Sequence, residues 1–148
     1  MASFEYSSII RAAVPDVFSF YNDLNNLPLI SLPVVKIEVV NVEGKMARGT
    51  RIEMKISRFG LAFKWLVSIQ EHVPNRYFID IQEKGPFARW KHIHEFHRVP
   101  EGTELVDRIE YELPLFPLSW PARKLYIARK LFKIFRHRHE VTRKVLEK

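Results

Sequence analysis

The most constraining feature of this sequence is a change of hydrophobic period. From residue 34 to Leu113, apolar and polar residues alternate in short runs broken by turn residues. After Pro121 the pattern turns to that of one long amphipathic helix. Thr50, Ile52, Met54 and Ile56 alternate with Arg51, Glu53 and Lys55. Phe63, Trp65, Val67 and Ile69 alternate with Lys64, Ser68 and Gln70. Leu105, Ile109, Tyr111 and Leu113 alternate with Glu104, Arg108, Glu110 and Glu112. Strands with one wet and one buried face belong to antiparallel sheets. In the last segment, Leu125, Leu131, Phe132, Phe135, Val141, Val145 and Leu146 fall in an apolar arc of roughly 200°, with Arg129, Lys133, Arg136 and Lys144 opposite. An arc that wide predicts a helix lying deep against a concave partner.

Ahead of the alternating runs, residues 3–11 read as a first strand. Pro15 and Asp16 suit the first turn of a short helix, and "NDLNNLPLISLP" holds too many breakers for more than one further helical turn. The predicted architecture is α+β: a curved seven-stranded antiparallel sheet wrapped around a long C-terminal helix, with short helices after the first strand, all in a single domain over 1–148.

The segment "GPFARWKHIHEF" (85–96) carries the candidate chemistry. On a strand, Trp90, His92, His94 and Phe96 share one face. A two- or four-residue turn within 99–102 sets Phe96 opposite Leu105, His94 opposite Asp107, His92 opposite Ile109 and Trp90 opposite Tyr111; a three-residue loop would shift that register by one. Three readings follow. H-x-H places imidazoles about 7 Å apart at Cα, close enough to share an ion with Asp107. Alternatively, Asp107 orients His94 for acid/base work, with His92 and Tyr111 as polar partners. In the third reading, His and Asp satisfy each other and lend polarity to a pocket wall. The third is adopted, with no metal and no cofactor expected. Asp80 in "YFIDIQ" is ambiguous, because either Tyr77, Ile79 and Ile81 or Phe78 and Asp80 could face inward.

The chain resembles the START-like, or SRPBCC, superfamily of helix-grip proteins, in its polyketide cyclase/dehydrase and lipid-transport branch. The resemblance rests on "AAVPDVFSFYNDLNNLP", "FGLAFKW", "GPFARWKHIHEF", "GTELVDRIEYELP" and "IFRHRHEV". It implies a cavity between sheet and long helix for a lipid, quinone or polyketide-like molecule, in either a binding protein or a cyclase, aromatase or dehydratase. It also favours Asp80 inward. Candidate ligand contacts are Phe63, Trp65, Asp80, Trp90, His92, His94, Phe96, Asp107, Tyr111, Phe132 and Phe135; catalytic candidates are His94, Asp107 and Tyr111.

The net charge of +7 is local. Residues 121–148 hold 10 Lys/Arg against 2 Asp/Glu, and the rest of the chain holds 14 against 15. The basic arc of Arg129, Lys133, Arg136 and Lys144 is a solvated face or a contact with anionic membrane, aided by Phe116, Leu118 and Trp120 of the preceding connector. No aromatic row interleaves with those cations, so nucleic acid is not an expected partner. Arg138 and His139 lie at the edge of the apolar arc, either snorkelling past its end or, for Arg138, meeting an acidic group. With no cysteine, no export signal and no apolar run of spanning length, a cytoplasmic location is the default expectation.

Overall fold

The computed structural model describes residues 2–114 and 120–147. The connector residues Phe116 and Leu118, and the side chain of Trp120, lie outside the described residues. Seven antiparallel strands form one sheet: β1 (Ala2–Ile10), β2 (Lys36–Val42), β3 (Arg51–Arg58), β4 (Leu61–Val73), β5 (Tyr77–Lys84), β6 (Arg89–Val99) and β7 (Gly102–Glu112), in the order β1-β7-β6-β5-β4-β3-β2. Helix α1 (Val14–Asn22) and a single 3₁₀ turn (Leu24–Asn26) follow β1, and α2 (Trp120–Leu146) closes the fold. Pro15 occupies the first turn of α1, where a missing N–H costs nothing.

The β6–β7 register is the one that matters for the site. A two-residue turn, Pro100–Glu101, pairs Val99 with Gly102, and the ladder sets Phe96 on Leu105, His94 on Asp107, His92 on Ile109 and Trp90 on Tyr111. Gly102 makes that turn possible: its φ is +142°, and a Cβ there would lie 2.5 Å from the Ile10 carbonyl oxygen of β1.

The interior has two apolar clusters. One gathers Ile10, Val17, Phe18, Phe96 and Leu105, with Val141, Val145 and Leu146 of α2 packed against it. The other gathers Trp90, Ile109, Tyr111, Leu113, Leu131 and Phe135. Along β6, β7 and α2 alike, the chain passes from one cluster to the other through polar residues: His92 and His94, Asp107, and His139. A polar belt therefore crosses the middle of an apolar interior.

The buried stripe of α2 is narrower than 200°. Leu131, Phe135, His139 and Thr142 are buried, while Leu125 and Phe132 are 55% and 45% exposed. The α2 stripe that meets the sheet advances by three or four residues per turn, and residues on its flanks are apolar without being covered.

Candidate functional site

Asp107 anchors the belt. Its side chain is 1% exposed and receives two short hydrogen bonds, from His92 Nε2 at 2.7 Å and from His139 Nε2 at 2.6 Å. His94 Nδ1 lies farther off, at 3.4 Å, and has no hydrogen-bond partner. His139 is fixed in turn by Ser8 on β1, 2.5 Å from its Nδ1. An ionised carboxylate only accepts, so His92 and His139 each present Nε2–H to it, and the Ser8 hydroxyl shares a hydrogen bond with the remaining ring nitrogen of His139.

Asp80 approaches the same two imidazoles from β5. Its Oδ2 accepts from His94 Nε2 at 2.8 Å and lies 3.8 Å from His92 Nδ1. Its direction is open in the sequence; in the structure Asp80 turns toward the histidines, and Phe78, on the same face, stacks on His94 with ring centroids 4.0 Å apart. The cross-strand pairing of His94 with Asp107 holds, and the hydrogen bonding departs from it. His94 does stand across the ladder from Asp107, but its short hydrogen bond goes to Asp80, and Asp107 is bonded instead by His92 and His139. Neither imidazole is untethered.

The two histidines, 3.6 Å apart between ring centroids, are driven in opposite directions. Burial, helped by the neighbouring charge of His94, lowers the pKa of His92 to about 4. Burial alone would also lower His94, but Asp107 and Asp80 on its two sides outweigh it and raise its pKa. Burial opposes the charge of both carboxylates as well. Hydrogen bonds from His139 and His92 nevertheless hold Asp107 well below the usual range, and the bond from His94 lowers Asp80. Of the two imidazoles, His94 is therefore the one whose surroundings favour the protonated form.

A cavity of about 140 Å³ opens against this belt. Its walls are apolar: Phe20, Leu24, Leu27 and Ile30 on the α1 side, and Ile52, Met54, Trp65, Val67 and Phe78 on the sheet. Its polar lining includes Asp80, His92, His94 and Arg138. Of the residues singled out in the sequence, Trp65, Asp80, Trp90, His92 and His94 line it. Phe96, Asp107, Tyr111 and Phe135 are buried behind the wall, and Phe63 and Phe132 are 44% and 45% exposed. For the strand residues other than Asp80, alternation gives the face without giving the position along the sheet.

Two further contributors come from α2. His139 is 1% exposed and Arg138 lines the cavity, its guanidinium 5.2 Å over the Phe135 ring and its Nε buried without a partner. Polar residues inside an otherwise apolar helical arc are the signal that marks them. Asp80, His92 and His94 also offer three ligand atoms within 4.8 Å of one another. A cation there would have to displace the proton that His94 gives to Asp80.

The profile of the family described as polyketide cyclase / dehydrase and lipid transport matches residues 10–134. No curated protein resembles the chain closely enough in sequence to be matched. Among solved structures, TTHA0849 from Thermus thermophilus is 23% identical, with TM-score 0.74 over 95% of this chain and 97% of that one. The di-domain ARO/CYC StfQ of the steffimycin biosynthetic pathway is 18% identical, with TM-score 0.77, and the match covers 98% of this chain and 50% of StfQ. Ara h 8.0201 is 16% identical, with TM-score 0.67 over 95% of this chain and 97% of that one. At these identities the structures speak for the fold, a helix-grip sheet around α2, and the profile match speaks for descent: the chain belongs to the polyketide cyclase/dehydrase and lipid-transport family of the START-like superfamily.

Proposed function

We propose that the protein binds an amphipathic small molecule of the lipid, quinone or polyketide-like kind in the cavity between the sheet and the segment from α1 to Ile30, to which α2, expected from sequence to form the facing wall, contributes Arg138. The observation that carries this reading is the lining itself, an apolar enclosure with polar groups converging from Asp80, His92, His94 and Arg138. Apolar walls supply affinity by removing hydrocarbon from water, and a few fixed polar groups choose the orientation. The Arg138 guanidinium, with one N–H unmatched inside the protein, suits a carbonyl or other oxygen acceptor at the ligand's polar end.

Native mass spectrometry of protein purified from its own host tests the proposal. A bound species should be released on denaturation and should be missing from Met54→Trp, which fills the cavity. Protein that is always empty, and takes up no lipid or quinone offered to it, would overturn it.

A second reading, an enzyme of the cyclase or dehydratase type, is favoured by the opposed environments of the two histidines. Environments that hold one group charged and its neighbour neutral are how a fold equips itself with an acid and a base. Here His94 would give up a proton through Nε2, and neutral His92, tethered through Nε2–H, would take one at Nδ1. Asp80 and Asp107 would hold those states. His94→Gln should then abolish turnover of a cyclising or dehydrating substrate while leaving ligand uptake within a few-fold of the parent. Unchanged turnover in that variant would remove His94 from the chemistry.

A further inference from the structure

The β3–β4 hairpin ends in the turn Arg58-Phe59-Gly60-Leu61, with φ of 51° at Phe59 and 76° at Gly60. Two consecutive left-handed residues define a type I′ turn, a place usually held by Asn-Gly or Asp-Gly. A phenylalanine suffers a Cβ clash there that glycine escapes. No interior contact offsets the strain, because Phe59 is 81% exposed and Leu61 77%. The hairpin also overhangs its neighbour: β4 begins to pair with β5 only at Leu66, which faces Lys84, so residues 61–65 run about 16 Å past the end of β5.

The same end of the molecule carries the beginning of α2. Trp65 of the hairpin and Ile127 of α2 both pack on the Trp90 cluster, and Leu125 and Tyr126 nearby are 55% and 57% exposed. Cations frame these apolar residues. The Arg58 guanidinium lies 4.7 Å over the Phe59 ring, and Lys130 Nζ lies 5.8 Å over Tyr126. Among the described residues, none of Arg58, Arg129, Lys130 and Lys133 has a carboxylate oxygen within 4.0 Å.

We propose that this end docks on an anionic lipid bilayer. Phe59 and Leu61 enter the boundary between headgroups and acyl chains, and Arg58, Arg129 and Lys130 lie at the phosphates. Exposed apolar side chains ringed by unpaired cations match a surface that is oily within and negative at its rim, and the strained turn is retained because it aims an aromatic outward. The contact is peripheral, since no helix among the described residues is long and apolar enough to cross a membrane. It differs from the one expected from sequence, which ran along the whole basic arc of α2. Lys144 is about 22 Å along the helix from Arg129, and Arg136 stands 3.9 Å from Glu140. The proposal holds whatever the cavity carries.

The test is co-sedimentation of the full chain with vesicles of phosphatidylcholine alone and of phosphatidylcholine mixed with phosphatidylglycerol. Binding should need the anionic lipid, fade with salt, and weaken about 10- to 100-fold in the double variant Phe59→Ser, Leu61→Ser. Because the chain has no cysteine, Leu61→Cys and Glu101→Cys can each carry a single environment-sensitive dye. The dye at 61 should shift to the blue on vesicles, and the dye at 101, in the β6–β7 turn at the far end, should not. Three results would overturn the proposal: no binding to anionic vesicles at low salt, equal binding by the folded double variant, or a concentration-dependent dimer that the same two substitutions dissolve.

Discussion

Asp80 and Asp107 flank the same two imidazoles from β5 and β7, and the difference between them separates scaffold from site. Asp107 is sealed at 1% exposure and bonded by histidines from two elements, so it fastens α2 to the sheet. Asp80 is 15% exposed, lines the cavity and makes one short bond. A carboxylate that a ligand can reach must leave some of its hydrogen-bonding capacity unused, and one that holds helix to sheet must not. The strongest test removes each in turn. Asp107→Ala leaves two buried N–H donors unpaired and should cost about 3–5 kcal/mol in urea unfolding. Asp80→Ala should cost about 1–2 kcal/mol, because water in the cavity can solvate what it leaves behind. Equal losses would erase the distinction.

Acid and alkaline limbs of the stability curve sharpen the comparison next. An unfolded histidine titrates near pH ~6.5. His92, lowered to about 4, refuses a proton that the unfolded chain accepts between those values, so it makes stability rise with pH across that window. His94 is raised, so its contribution is complete below about 6.5 and is lost as pH climbs through its folded pKa. Asp107 is lowered, and its contribution disappears only in acid, as pH falls through its folded pKa. Stability measured by urea midpoint should therefore peak near pH ~6.5. His94→Gln should flatten the alkaline limb and leave the acid limb in place. An alkaline limb that survives the substitution would show that the raised pKa of His94 is not its source.

These contrasts show what a single sequence makes legible. Face is readable because a strand has a period of two: the β6–β7 pairing and the common side of Trp90, His92 and His94 follow from alternation and a two-residue turn. The direction of Asp80 is not readable from alternation, since Phe78 and Ile79 are both buried, and only the family resemblance points it inward, where it lies. Polarity cannot choose a face when a strand is covered on both sides. Depth is also hidden. Phe63 lies where β4 overhangs β5, and Phe132 lies on the flank of the α2 stripe between the buried Leu131 and Phe135, so the length of β5 exposes the one and the angular width of the buried stripe exposes the other. His139 is readable in kind, as a polar residue in an apolar arc, but its partner Asp107 is 32 residues away in sequence. Only the packing angle of α2 brings the two together.

The smallest expected effect concerns Tyr111, which sequence alternation places beside the histidines. It is 2% exposed, packs edge-on to Phe87 at 5.8 Å, and pairs across the ladder with Trp90. Its hydroxyl makes no hydrogen bond to Asp80, His92, His94 or Asp107, and burial raises its pKa. Its worth lies in its ring. Tyr111→Phe keeps the ring and should change stability by less than about 0.5 kcal/mol, with ligand uptake unaltered, whereas Tyr111→Ala should cost about 3–5 kcal/mol through the cavity left in the Trp90 cluster. A large loss of uptake in Tyr111→Phe, at parental stability, would put the phenol back among the groups a ligand meets, and would extend the working side of the belt from Asp80 across to β7.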